Sequence, residues 1–279
     1  MAPWTGVVLA LAEPGSDELG SRLSTYLHPL AGRPLAWHVV QAVASLGAAR
    51  VVVAGGPELG PELFADVPAE VRLLDASPDD LRWALSAAAE GGARVLAVDA
   101  AAPTAGDELR RLLDSDGDAL LTGDDGAVLA AWMGADAAAA LAEHGGDLGA
   151  LRSALPDAAE LRDEDGFTVR SRAALARASA CIRDRVVHRL MEGGVTFLLP
   201  ESTLVDVDVL IGRDTVVYPG VVLEGQTVVG EETVIGPACR IISSRIGSGV
   251  ELKGFNYLSH TSIRNHAVLE PYVRRGFDE

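Results

Sequence analysis

Residues 9 to 34 read LALAEPGSDELGSRLSTYLHPLAGRP, an apolar run that breaks into a polar loop ahead of a long helical pattern. A loop in that position can cradle phosphate through backbone N–H groups on small residues, aided by a nearby cation. Leu9, Ala10 and Ala12 would form its entry, and Gly20, Ser21 and Arg22 its return. The same loop carries Glu13, Asp17 and Glu18, which repel a triphosphate, and no lysine precedes Lys253. Arg22 and Arg33 are the local positive charges. The loop has the place of a phosphate turn without the charge of one.

The elements that must position this loop follow from periodicity. GVVLALA reads as a buried strand, PLAWHVVQAVASLG as a helix closed by Gly47, and ARVVVAGG as a second strand ending at Gly55 and Gly56. EVRLLDA is a candidate third strand. SPDDLRWALSAAAEGG reads as a helix with Ser77 as N-cap and Pro78 at its first position, and ARVLAVDAA as a fourth strand. GDELRRLLDSDG returns as a helix before the strand GAVLAAWMG. Alternating strands and helices with solid Val, Leu and Ala runs predict a parallel sheet covered on both faces. Ligands of such sheets sit at the carboxyl ends of the strands, where the loop at 11 to 25 falls.

SRAALARASACIRDRVVHRLMEGG, residues 171 to 194, places Leu175, Ala178, Ile182, Val186 and Leu190 on one stripe and predicts an amphipathic connecting helix. Beyond it the period changes. Val205, Ile211, Val217, Leu223, Val229, Ile235 and Ile241 recur every sixth position. After a one-residue slip Ile246, Leu252 and Leu258 continue, and after a second slip Ile263 and Leu269. So short a unit cannot bury its aliphatic residue alone, so successive units must coil into a solenoid with the aliphatics inside. Its flat sides and ends need protection, which predicts self-association.

Taken together, VVLA, LHPLAGRPLAWHV at 27 to 39, LGAARVVVAGG at 46 to 56, LMEGGVTFLLPEST at 190 to 203, the hexad run at 211 to 247 and EPYVRRG at 270 to 276 resemble one family. It is the bifunctional N-acetylglucosamine-1-phosphate uridylyltransferase/glucosamine-1-phosphate acetyltransferase family. The resemblance covers most of the chain in order, with the middle of the first half shortened. It implies an α/β Rossmann-like nucleotidyltransferase domain followed by a left-handed parallel β-helix that trimerises. The expected division is 1–170 for the first domain, 171–194 for the connecting helix and 195–279 for the β-helix.

The resemblance also implies a chemistry that can be checked residue by residue. Attack of a sugar phosphate on a nucleoside triphosphate brings two anions together, so positioning and positive charge must supply the catalysis. The family's glycine-rich loop ends in Gly-Thr-Arg, answered here by Gly20-Ser21-Arg22 after an acidic insertion. Its Pro-Lys pair aligns with Ser24-Thr25, and its first metal-holding Asp with Ala101. Asp99 lies two residues earlier and serves only if the register slips. The second metal ligand aligns with Arg170, a residue that either points into the site in place of the cation or caps the following helix in solvent. No metal ligand is therefore assigned, and Mg²⁺ is expected only if Asp99 takes that role. The family's acetyltransferase residues lie beyond EPYVRRG, so a truncated relative is expected. His260 and His266 read as surface residues on hexad turns.

A formal net charge of −17 opposes nucleic acid and anionic membrane surfaces as partners. No apolar run reaches a membrane span, and the first residues lack a signal peptide's positive start, so a cytoplasmic protein is expected. Cys181 and Cys239 have no metal-ligand spacing and read as small buried hydrophobes. Two readings of function stand. One is a degenerate, catalytically impaired homotrimer that binds a nucleotide or sugar nucleotide, or acts as a scaffold or regulator. The other is an active enzyme passing a nucleotidyl group from a UTP-like donor to a sugar 1-phosphate, with Asp99 on the metal and Arg22 or Arg33 on the phosphates. Acyl transfer at the solenoid is a third, weaker alternative.

Overall fold

The computed structural model describes residues 4–11 and 19–276, and the chain divides into two compact units. One comprises Met1–His28 with Pro34–Ala176, the other Pro29–Arg33 with Arg177–Glu279.

In the first unit, β1 (Thr5–Ala10) runs parallel to both β2 (Arg50–Gly55) and β4 (Val95–Asp99), and β3 (Glu70–Asp75) continues the parallel set beside β2. The strands between the edges are near-continuous buried aliphatics because helices cover them: Val7, Val8, Val51, Val53, Leu96 and Val98 are all almost solvent-free. The helix α1 (Leu35–Ser45) lays Leu35, Val39, Val40 and Val43 on the sheet. Gly6 makes that approach possible, since a Cβ there would collide with Val43. Helix α2 (Pro78–Ala88) begins as its sequence requires, with Pro78 at the first position and the Ser77 Oγ accepting the Asp80 N–H at 3.1 Å.

The rest of the sheet departs from the parallel arrangement expected. After α3 (Gly106–Leu113) come β5 (Ala119–Thr122), β6 (Val128–Met133), α4 (Ala135–Glu143) and β7 (Ala159–Arg162). Among the described residues the strand order is β3-β2-β1-β4-β6-β5-β7, with β6 antiparallel to both its neighbours. The cause is local. A tight turn from Gly123 to Ala127, closed by the Gly123 N–H on the Ala127 carbonyl at 2.9 Å, is too short for a parallel crossover. Neither β5 nor β7 stands out in the sequence, because each is four residues long and β7 is largely exposed.

The second unit is the left-handed parallel β-helix. Three stacks of short parallel strands begin at Thr196–Phe197, Leu204–Val205 and Leu210–Ile211. The hexad aliphatics become its interior rungs, such as Val205–Leu223–Ile241–Leu258. All are buried except Ile211, which is half-buried in the first coil. Both one-residue slips fall at the same corner, between Ile241 and Ile246 and again between Leu258 and Ile263. Ser243 and His260 turn that corner with left-handed backbone (φ 42° and 46°). The shorter turn keeps the rungs in register, so the slips cost no interior position. His260 and His266 are exposed, as expected of turn positions.

Helix α5 (Arg172–Glu192) buries Ala178, Ile182, Val186, Val187 and Leu190. Within the second unit, Arg183 donates to the Glu201 carbonyl and Arg189 to the Val207 carbonyl, both at 3.0 Å, so its C-terminal part covers the first coil. A strap absent from any periodicity joins the same unit. The Val207 N–H donates to the Ala31 carbonyl at 3.0 Å, and Arg33 pairs with Asp208 at 2.8 Å. Gly32 turns the strap with φ 81°, where a Cβ would meet Asp206. No helix among the described residues is long and apolar enough to cross a membrane.

Candidate functional site

A cleft of about 390 Å³ opens at the carboxyl ends of β1 and β4, the end of the sheet where α/β folds receive ligands. Leu9 and Leu11 come from the end of β1, and Asp99 and Ala101 from the end of β4. Thr25 and Tyr26 line the cleft from the returning loop, Gly145 to Gly149 form another side, and Val169 and Arg170 complete it.

The geometry around Asp99 rests on backbone pairing. The Ala100 N–H donates to the Leu9 carbonyl at 2.9 Å and the Val169 N–H to the Ala101 carbonyl at 2.8 Å. These two bonds bring the segment before α5 across the end of β4 and set Arg170 opposite Asp99. One Asp99 oxygen, Oδ1, accepts the Ala101 N–H at 2.8 Å. The other, Oδ2, faces the Arg170 guanidinium at 3.6 Å, an ion pair longer than a hydrogen bond. Arg170 Nε donates to Thr168 Oγ1 at 3.3 Å, and Thr168 gives both its hydroxyl and its backbone N–H to Asp125 Oδ2 at 3.1 Å. The side chain of Asp99 is 16% exposed and that of Arg170 64%. Burial is the main influence on the Asp99 carboxyl and raises its pKa above the ordinary value; the Ala101 N–H and Arg170 oppose this, and Asp125 adds to it.

Of the two possibilities open for Arg170 in the sequence, the structure takes the one pointing at Asp99. Leu9 and Asp99 are likewise on the cleft. Ala10, Gly20, Ser21 and Arg22 are not on its lining: Ala10 is buried in β1, Gly20 and Arg22 are exposed, and the Ser21 Oγ accepts the Leu23 N–H at 3.1 Å. Ala12 lies outside the described residues. Ala101, aligned with the family's metal-holding Asp, presents only a methyl group.

Thr25, aligned in the sequence with the family's lysine, is on the lining, whereas sequence reasoning missed Tyr26, the Asp125–Thr168 buttress and the loop at 145 to 149. The last had a signal, the cluster HGGDLG after a helical run. Gly146 there has φ 85°, and a Cβ would press on Leu11 and Leu81. Asp147 turns the loop by accepting the Gly149 N–H at 2.9 Å.

The Mg²⁺ implied by the resemblance does not fit this arrangement. Such an ion takes several oxygen ligands in near-octahedral geometry. Asp99 has one oxygen engaged by a backbone N–H and the other facing a guanidinium. Among the described residues no group of three or more His, Cys, Asp or Glu side chains is placed to hold a metal ion.

Fold and cleft together define a nucleotidyltransferase-like chain with a hexapeptide β-helix. Among solved structures it is similar to a nucleotidyl transferase from Methanothermobacter thermautotroptrophicus (TM-score 0.52, 22% identity, covering 68% of this chain and 100% of that one). It is also similar to a putative glucose-1-phosphate thymidylyltransferase from Bacillus anthracis (TM-score 0.52, 12% identity, covering 65% and 96%). Likenesses at such identities establish the fold.

By sequence, the chain is related to the bifunctional GlmU proteins over about half its length. It is 36% identical over 138 residues to that of Caldanaerobacter subterraneus subsp. tengcongensis, covering 50% of this chain and 28% of the relative. It is 40% identical over 132 residues to that of Thermoanaerobacter pseudethanolicus, covering 43% and 29%. The chain thus spans less than a third of the length of these curated relatives. No family model matches it.

Proposed function

We propose that the chain is a catalytically impaired relative of the sugar-nucleotide nucleotidyltransferases, whose cleft binds a nucleotide or sugar nucleotide without transferring it, and that it assembles as a homotrimer through the β-helix. The observation that carries this reading is Arg170 at 3.6 Å from Asp99, where the transfer needs a metal. A guanidinium can hold phosphate, but it supplies no coordination sphere to bridge donor and acceptor. Ala101 offers no ligand, and no lysine is available before Lys253. Trimer formation draws support from outward-facing Leu204 and Leu210, which leave apolar surface on two sides of the upper coils.

The test is pyrophosphate release from UTP and N-acetylglucosamine 1-phosphate with Mg²⁺, alongside calorimetric titration with UTP and UDP-N-acetylglucosamine. The expected result is binding without release above background. Steady turnover overturns the impaired reading and favours the active enzyme, and a monomeric mass by light scattering at micromolar concentration overturns the trimer.

A further inference from the structure

We infer that Arg170, held in place by Asp99, is the cation of this cleft and replaces a divalent metal there, so that the cleft takes the diphosphate of a nucleotide sugar in a metal-independent way. The inference rests on the binding role proposed above and adds its electrostatic mechanism.

The charge inventory leads to this assignment. Among the described residues lining the cleft, the charged side chains are Asp99, Asp147 and Arg170. Asp147 accepts the Gly149 N–H and Asp99 the Ala101 N–H, so both carboxylates are committed to holding backbone. Without Arg170 the described lining holds two carboxylates and no cation; Arg170 brings its net charge from −2 to −1 and supplies its one positive group. With it, the Asp99 charge is matched and part of the guanidinium remains exposed for a ligand.

The arginine is also preorganised. Its Nε is directed by Thr168, which is fixed by Asp125, and its backbone neighbour Val169 is tied to Ala101. A guanidinium has five N–H donors in a rigid plane and stays charged at any physiological pH. Nε and one Nη2 contact account for the interactions above, which leaves an edge suited to two phosphate oxygens side by side. Asp99 is a positioning residue here: it orients Arg170 and does not touch the ligand.

The same geometry opposes a metal. A dication at Asp99 Oδ2 would stand beside a fixed positive charge, and Arg170 would have to leave before the ion could bind. Metal and arginine are therefore alternatives at this position.

The experiment has two arms, both on the whole 279-residue chain. In the first, UDP-N-acetylglucosamine, inorganic pyrophosphate and N-acetylglucosamine 1-phosphate are titrated in EDTA and again in Mg²⁺. The wild type is expected to bind UDP-N-acetylglucosamine most tightly, with the same affinity in both buffers. Arg170→Ala is expected to weaken it by about ten- to a hundredfold, the worth of charge-assisted hydrogen bonds to phosphate. Arg170→Lys should recover part of that loss, and Arg82→Ala on exposed α2 should lose nothing. Binding that Arg170→Ala leaves intact, or that requires Mg²⁺, overturns the inference while leaving the binding role standing.

The second arm needs no nucleotide. Mn²⁺ uptake is followed by electron paramagnetic resonance, with expected absence of a cleft site in the wild type and its appearance in Arg170→Asn. A wild-type Mn²⁺ site abolished by Asp99→Ala overturns the inference directly. If the wild type binds none of the three phosphates in either buffer, the binding role fails, and this inference with it.

Discussion

The β-helix and the cleft solve opposite problems with the same chain. In the β-helix each rung repeats the contacts of the one before, so a residue's environment follows from its place in the hexad. In the cleft no position repeats: Leu9, Asp99, Gly146 and Arg170 come from four separate segments, three of them joined by backbone pairing. A periodic core reports its geometry in one dimension, whereas a site built from strand ends reports it only after the strands have paired.

The largest effect is expected where the repeat is enclosed. Leu223 is fully buried between Val205 and Ile241, and Leu223→Ala should cost about 2–5 kcal/mol in a denaturant titration. Leu210, on the outside of the same coils and 62% exposed, should lose far less on truncation in the isolated protomer. Equal losses would mean that the hexad pattern does not separate core from surface. If the protein self-associates as proposed, a large Leu210→Ala effect that grows with protein concentration would place that side in the contact between copies.

An intermediate effect is expected at the cleft loop. Gly146→Ala forces a side chain into left-handed backbone and against Leu11 and Leu81, costing about 1–3 kcal/mol and reshaping the lining. Gly20→Ala also meets positive φ but no neighbour within 4 Å, so its cost should be smaller and should leave ligand affinity unchanged. Reversal of that order by chemical denaturation would shift attention to the loop's return arm.

The smallest effect compares two carboxylates. Burial raises the pKa of both Asp99 and Asp206, but Asp99 faces Arg170, whereas Asp206 accepts the Gly225 N–H with Glu224 and Asp208 adding repulsion. Because the folded state holds the Asp206 proton more tightly than the unfolded chain, ionisation costs stability as pH rises through the folded pKa. That cost vanishes below the unfolded value of about 3.9, where both states are protonated. Asp206→Asn keeps an acceptor for Gly225 and removes the charge. Its Tm should exceed wild type slightly at neutral pH and converge with it in acid. A lower Tm at neutral pH would show that the carboxylate earns its place through a contact of its charged form.

What could be read ahead of the fold was uneven for a physical reason. The rungs from Val217 to Leu269 were visible because one aliphatic per turn is a requirement of coiling. Gly47 and Ser77 were visible because helix ends need a left-handed exit and an N–H acceptor. The antiparallel placement of β6 was hidden, since direction depends on the short turn at Gly123 to Ala127 and on pairing partners far away in sequence. Arg170 illustrates the limit best. The sequence left it a choice between helix cap and cleft, because its side chain is exposed and obeys no period.

The residues alone therefore gave the alternation of strands and helices from Thr5 to Leu113 and the solenoid repeat, and they put acidic residues and no lysine in the loop at 11 to 25. Those follow from local sterics, hydrophobic spacing and formal charge, all of which act over a few residues. Tertiary structure alone decided that Pro29–Arg33 joins the β-helix unit, that Gly145 to Gly149 wall the cleft, and that Arg170 meets Asp99. The first and last depend on backbone hydrogen bonds between segments distant in sequence and the second on close packing of Gly146 against Leu11 and Leu81, and such contacts exist only once the sheet and the coils have formed.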